Sequence, residues 1–188
     1  CYITNKVYND IPLNYLKTGK ISINYPFFAK LNYSSENAVL ATDFFGLNYY
    51  SHNILKFKFN KNEFFENKYR SNDILTDMPY AIYPEGFYRA IKDAHKIGKP
   101  IIITENGIAD ADDSKRSLYI RNYLYAISKA IDEGIDIRGY FYWSLMDNFE
   151  WAEGYDMKFG LYKVDFNSQK RTLRKGSQTL IDIINESK

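Results

Sequence analysis

Glu105 is the residue best placed to do chemistry. It follows Ile101-Ile102-Ile103-Thr104 directly, which puts a carboxylate at the tip of a strand, partly out of water, where donors must meet its charge. Thr-Glu-Asn-Gly alone suits a cap for the following turn, or a surface ion pair, as well as it suits a reactive carboxylate. A second cluster, WSLMDNFEWAEGY from Trp143 to Tyr155, holds both tryptophans of the chain beside Asp147, Asn148, Glu150 and Glu153. Indole is a flat apolar plate with one donor, matched to the C–H face of a sugar ring, and glutamate accepts from vicinal hydroxyls. Core packing is the commoner fate of a tryptophan, but two of them beside three acids in one loop favour a ligand. Ser144 has no G-x-S-x-G elbow around it, and His52 and His95 sit in no triad spacing. Cys1 is terminal and has no electropositive context to activate it.

The elements that would carry these residues read as strand, helix, strand, helix, strand. DFFGLNYY at 43–50 is a compact aromatic run that suits a buried strand ending in Asn48, Tyr49 and Tyr50, and ILKFKF at 54–59 alternates as a half-exposed strand. The polar stretch 60–77 reads as one long loop. Pro84-Glu85 opens a helix with Phe87, Ile91 and Ala94 inward and Gly98 as its stop. After the strand at 101–103, Asp112 or Asp113 is placed to cap a helix with Ile120, Leu124, Ile127 and Ile131 on one face and Gly134 at its end. Gly139 precedes a further aromatic strand, Tyr140 to Leu145. A last helix has Ser177 as its cap and Leu180, Ile181 and Ile184 inward. Residues 1–40 are weakly patterned and broken by Pro12, Gly19 and Pro26. Continuous apolar strands alternating with helices predict a parallel sheet, and in such α/β folds chemistry sits at the carboxyl ends of the strands. With neither G-x-G-x-x-G nor a P-loop present, a closed barrel is favoured over an open nucleotide-binding sheet.

Composition narrows the partners. The 188 residues carry 25 Lys+Arg against 23 Asp+Glu, interspersed, which leaves no basic stripe for nucleic acid or an anionic membrane. No apolar run reaches the length of a membrane span. One cysteine excludes an intrachain disulfide, and two histidines leave little for a metal. The 18 Tyr, 13 Phe and 2 Trp suit a site where rings stack on a flat ligand, but codon bias gives the same count.

Three blocks carry a family resemblance. ITENGIAD at 103–110, GYFYWSLMDNFEWAEGYDMKFGLYKVDF at 139–166 and DFFGLNYYSHN at 43–53 resemble, in order and spacing, glycoside hydrolase family 1, the β-glucosidase family. The resemblance runs from about residue 40 to the C-terminus, and the long block from Trp143 to Phe166 is its most specific part. It implies an α/β fold, a (β/α)8 TIM barrel of which this chain is the C-terminal portion, about the last three to four βα units, with 1–188 forming part of a single domain. It also implies a retaining double displacement on unphosphorylated β-glycosides, with neither cofactor nor metal. Glu105 is then the nucleophile and Tyr50 the donor that orients it. Asn48 belongs to the polar surround, Trp143 is the platform beneath the sugar, Glu150 and Trp151 hold its hydroxyls, and Phe159 lines the pocket. A cis peptide after Trp143 is implied as well.

One part of the family pattern is missing. Retaining glycosidases use two carboxyl groups about 5–5.5 Å apart, and in this family the acid/base lies in an N-E-P motif. The glutamates here are at 36, 63, 66, 85, 105, 133, 150, 153 and 186, none between Asn and Pro. The expectation is that a further N-terminal half of the barrel supplies it. Two alternatives stay open: a catalytically incomplete sugar-binding or scaffold remnant, and an open α/β interaction domain, against which the long block argues.

Overall fold

The computed structural model of the chain describes residues 2–27, 29–36, 42–58 and 64–187. The lead-in is more regular than its sequence predicts. Helix α1 (Tyr2–Asn5) runs through a π-helical turn, Lys6–Asp10, into α2 (Ile11–Thr18). Pro12 sits in the first turn of α2, where a missing N–H costs no hydrogen bond, and Gly19 ends the helix at φ 69°. A hairpin of β1 (Lys20–Tyr25) and β2 (Ala29–Ser34) follows, with Pro26 in its turn. Strand β2 is exposed along its whole length, so no alternation betrays it.

Strand β3 (Phe45–Asn48) begins the site-bearing region. The next hairpin corrects the long-loop expectation: β4 (Ile54–Phe57) pairs with β5 (Phe65–Lys68), Phe57 opposite Phe65, so that 60–77 contains a strand. Glu66, Asn67 and Lys68 hid it. Cys1, Phe59 and 60–63 lie outside the described residues. Helix α3 (Pro84–His95), strand β6 (Ile101–Asn106), helix α4 (Arg116–Asp132) and strand β7 (Ile137–Tyr142) come next. A short hairpin of β8 (Tyr162–Val164) and β9 (Arg171–Leu173) then leads to helix α5 (Gln178–Glu186). Among the described residues no helix is long and apolar enough to cross a membrane.

Strands β3, β6 and β7 form one parallel sheet in that order, each joined to the next by a segment containing one helix, as predicted. Helices α3 and α4 cover one face of it. Phe87, Ile91 and Ala94 of α3 and Tyr119, Tyr123, Ala126, Ile127 and Ala130 of α4 pack with Ile101 and Ile103 of β6. Each fully buried Ile or Phe there contributes about 1.5–3 kcal/mol. The Tyr119 and Tyr123 rings stack with centroids 3.9 Å apart.

Several local expectations are corrected. The buried stripe of α4 runs through Tyr119, Ile120, Tyr123 and Ile127, while Ile131 is exposed, because the tyrosines, whose hydroxyls find partners, outcompete the aliphatic stripe for the core. The cap of α4 is Asp110, whose Oδ2 accepts from the N–H groups of Lys115 (2.8 Å) and Arg116 (2.9 Å); Asp113 instead pairs with the Arg116 guanidinium. Ser177 offers α5 no side-chain cap, since its hydroxyl donates to the Leu161 carbonyl. Ile184 is exposed and Thr179 buried on that helix. Gly139 lies inside β7, which starts two residues before it.

Candidate active site

Strict alternation along β6 would send Glu105 to the same face as Ile101 and Ile103, into the helix-covered core. The pairing register shifts between Leu47 and Asn48 toward β3, and between Ile103 and Asn106 toward β7. An irregularity of this kind re-aims every side chain beyond it. Asn106 therefore takes the buried side and Glu105 is left half-buried at the strand's carboxyl end.

There the Tyr50 phenol donates to Glu105 Oε2 at 2.9 Å. Burial, and after it the bond to Glu105, pushes the phenol's pKa well above its ordinary value, so Tyr50 is held protonated as a donor. Glu150 acts on the same phenol in the same direction, which puts a second carboxylate in its neighbourhood. Tyr49 N–H donates to the Glu105 carbonyl at 3.0 Å. Asn48 pairs in register with Glu105, and its Oδ1 accepts from Thr104 Oγ1 at 2.6 Å.

Trp143 leaves the end of β7 beside this pair. Its N–H donates to the Asn106 carbonyl at 2.9 Å, and the Trp143–Ser144 peptide is cis. The Trp143 carbonyl oxygen lies so close over Gly107 that a Cβ there would come within 1.7 Å of it. The indole Nε1–H donates to Glu150 Oε2 at 3.4 Å, a long bond. Phe159 is buried and meets the Tyr50 ring edge-on, centroids 6.1 Å apart. Glu105, Tyr50, Asn48 and Phe159 are thus linked by direct contacts, Trp143 is tied to the β6 backbone, and Glu150 to Trp143. Trp151 stands apart, 82% exposed at φ 44°.

Other residues of the tryptophan cluster do structural work. Asp147 is buried and ion-paired with Arg174 at 2.8 Å, and it accepts from the N–H groups of Gly160 and Val164. Asn148 donates to Ser144 Oγ, whose own proton goes to the Met146 carbonyl. His52 packs on Tyr83, centroids 4.2 Å apart, and His95 is exposed on α3.

Two supporting residues escaped the sequence reading. Asn106, fully buried, donates to the Tyr49 carbonyl (2.6 Å) and to Tyr119 Oη (2.8 Å), and accepts from Tyr140 Oη (3.1 Å). One carboxamide thereby ties β6, β7, α4 and the residue just after β3 together, next to Glu105 in the chain. Arg116 is fully buried on α4, with Nε donating to Asp113 Oδ1 at 2.9 Å. Its signal in the sequence was an arginine in phase with Tyr119, Ile120 and Tyr123 on an apolar face, where a charge needs a built set of partners.

The profile of Glycosyl hydrolase family 1 matches residues 14–188. A 1,4-beta-D-glucan glucohydrolase of Thermotoga neapolitana is 38% identical over 156 residues, 76% of this chain and 34% of its own length. Beta-glucosidase A of Thermotoga maritima is 40% identical over 146 residues, 70% of this chain and 32% of its own. A beta-glycosidase structure from Pyrococcus horikoshii superposes with a TM-score of 0.77 at 37% identity, covering 94% of this chain and 40% of that one. The chain therefore spans about a third of the curated relatives it matches, and its parallel strands and covering helices are part of a (β/α)8 barrel. With the profile matched from residue 14 to the last residue, this chain belongs to glycosyl hydrolase family 1.

Proposed function

We propose that this chain is the C-terminal, nucleophile-bearing part of a retaining β-glycosidase that acts on unphosphorylated β-glycosides. The observation that carries this reading is the 2.9 Å bond from Tyr50 to Glu105 at the carboxyl ends of parallel strands. Glu105 attacks the anomeric carbon, displaces the aglycone and forms a glycosyl-enzyme that water then hydrolyses. Tyr50 holds the attacking carboxylate in line, and Asn48 completes the polar surround. Trp143 lies under the sugar, Glu150 and Trp151 take its hydroxyls, and Phe159 closes the pocket wall.

Protonation of the leaving group falls to a carboxyl group outside these 188 residues, on an N-terminal half of the same barrel. Two observations support that partner. No glutamate here stands in N-E-P, and β3 and β7 each have only one neighbour in the sheet among the described residues. Phe141 of β7 is exposed on the face away from α3 and α4, where the remaining strands would cover it. The missing N-E-P glutamate also favours a second reading, a sugar-binding remnant without turnover.

A dinitrophenyl 2-deoxy-2-fluoro-β-glucoside separates the two, because its leaving group needs no proton and its glycosyl-enzyme is slow to hydrolyse. Digestion and mass spectrometry are expected to find the sugar on Glu105. Label on another residue would remove Glu105 from its role, and binding without label would favour the remnant. On cellobiose the chain alone is expected to be essentially inert, since acid/base assistance is worth about 10²–10⁴-fold. Turnover at ordinary rates would place the acid/base within these residues.

A further inference from the structure

The Trp143 indole makes one long bond, to Glu150 at 3.4 Å, and both of its neighbours in the chain lead to one buried group. Tyr142 Oη accepts from Arg116 Nη1 at 2.7 Å. On the other side, the Ser144 N–H donates to the Phe159 carbonyl at 3.3 Å, and that carbonyl also accepts from Arg116 Nη1, at 3.1 Å. The same guanidinium reaches the loop that follows Glu105, donating to the carbonyls of Ile108 (3.1 Å) and Asp110 (2.8 Å). Nη2 donates as well to the Lys158 carbonyl at 3.0 Å, and Nε to Asp113 Oδ1 at 2.9 Å.

We propose that Arg116 is a positioning residue that sets the Trp143 indole and the Phe159 ring relative to Glu105. The functional weight of this rests on the reading of Trp143 and Phe159 as the sugar pocket; the geometry does not. Three segments meet at the guanidinium: the one after β6, the end of β7, and 158–159. The first follows Glu105 in the chain, and the other two carry the Trp143 and Phe159 side chains. Arginine alone fits, because its planar fork offers five N–H donors in fixed directions, where lysine offers three on a mobile stem. Helix α4, which carries the fork, is seated in the core through Tyr119 and Tyr123, so the wall positions are referred to the rigid core rather than to the loops themselves. A group that only filled the core would stabilise the chain without fixing Trp143.

The two tryptophans make this testable on the chain itself. Labelled with 5-fluorotryptophan, it gives two ¹⁹F resonances, assigned through Trp151→Phe. Arg116→Lys is expected to shift and broaden the Trp143 resonance well below the melting temperature while the Trp151 resonance holds still. Tyr142→Phe, which removes one acceptor and keeps the fork, is expected to shift the Trp143 resonance the same way by less, and it decides the matter if Arg116→Lys does not fold. A Trp143 resonance that stays in place in the folded variants, with only the melting temperature lowered, would overturn the proposal. The fluoro-glycoside supplies an independent arm. Arg116→Lys is expected to weaken the inhibitor's binding constant more than its limiting labelling rate, whereas a wild-type chain that takes no label sinks the glycosidase reading and leaves the resonance result standing.

Discussion

At Glu105, the proposed attack needs a carboxylate that is aimed, and one hydrogen bond is in place to aim it. Tyr50 supplies it, and its phenol keeps its proton because burial and the neighbouring carboxylates disfavour the phenolate. Tyr50→Phe keeps the ring contact with Phe159 and removes only the donor. A misplacement near 1 Å at a reacting group costs on the order of 100-fold, so labelling of Glu105 by the fluoro-glycoside is expected to slow by about that factor; an unchanged rate would show the carboxylate is oriented otherwise. Glu150 decides a different question. On the proposed reading the Glu150 carboxylate, beside the indole Nε1–H, holds the sugar's hydroxyls and would meet a phosphate carried on one of them, and like charges at close range in an interface cost several kcal/mol. With the barrel complete, kcat/KM is expected to be far higher for a β-glucoside than for its 6-phosphate; the reverse order would overturn the assignment. Glu105 was legible because a short apolar strand points at it, and the Trp143 block because its residue types are unusual together. Asp147 was counted with that block as one of its acids, and nothing in its spacing announces the ion pair with Arg174, 27 residues away.

Between residue and fold, β6 does the placing. Its register shift turns Asn106 into the core and Glu105 out of it, and alternation read from Ile101-Ile102-Ile103 cannot show this, because a bulge is a property of the pairing rather than of one strand. Gly107 completes the arrangement. A side chain there would collide with backbone, the Trp143 carbonyl, which cannot swing aside as a flexible side chain would. Gly107→Ala is therefore expected to push the β6 end and Trp143 apart, destabilising the chain by about 1–3 kcal/mol as overpacking does and moving the Trp143 resonance. Retained stability with an unmoved resonance would mean the contact is looser than 1.7 Å implies. Helix α3 was readable from Pro84, Phe87, Ile91, Ala94 and Gly98 because propensity and burial agree along it. Helix α4 was readable in extent, but its face drifted toward tyrosines, which count as half-polar until their hydroxyls are seen bonded. Strand β5 was illegible because an exposed hairpin need not alternate.

For the whole molecule, the order of elements was enough to give a parallel sheet with helices on it, since the three strands are apolar and the connections long. How the sheet closes was not open to periodicity; the missing nucleotide motifs favoured a barrel, and the family resemblance gave its (β/α)8 form. The aromatic content that composition could not explain now has a place. Tyr49, Tyr119, Tyr123, Tyr140 and Tyr142 are gathered between α3, α4 and the sheet, and this has a consequence at high pH. Burial holds the phenols of Tyr119 and Tyr140 well above their ordinary range and pushes Tyr123 up to about 12. In the unfolded chain each would ionise near 10. Their contribution to stability is thus complete below about pH 10 and is lost as pH rises through the folded-state values, with Tyr123 alone worth about 3 kcal/mol across the window from about 10 to 12. In an alkaline titration followed by phenolate absorbance, the exposed tyrosines are expected to ionise first, near their ordinary value. The buried set should follow in a later, steeper step that coincides with loss of the far-ultraviolet dichroism. A single smooth ionisation with the dichroism intact would mean that these hydroxyls reach water without unfolding. The core of this chain is in that sense its own indicator dye, silent until the fold that hides it has gone.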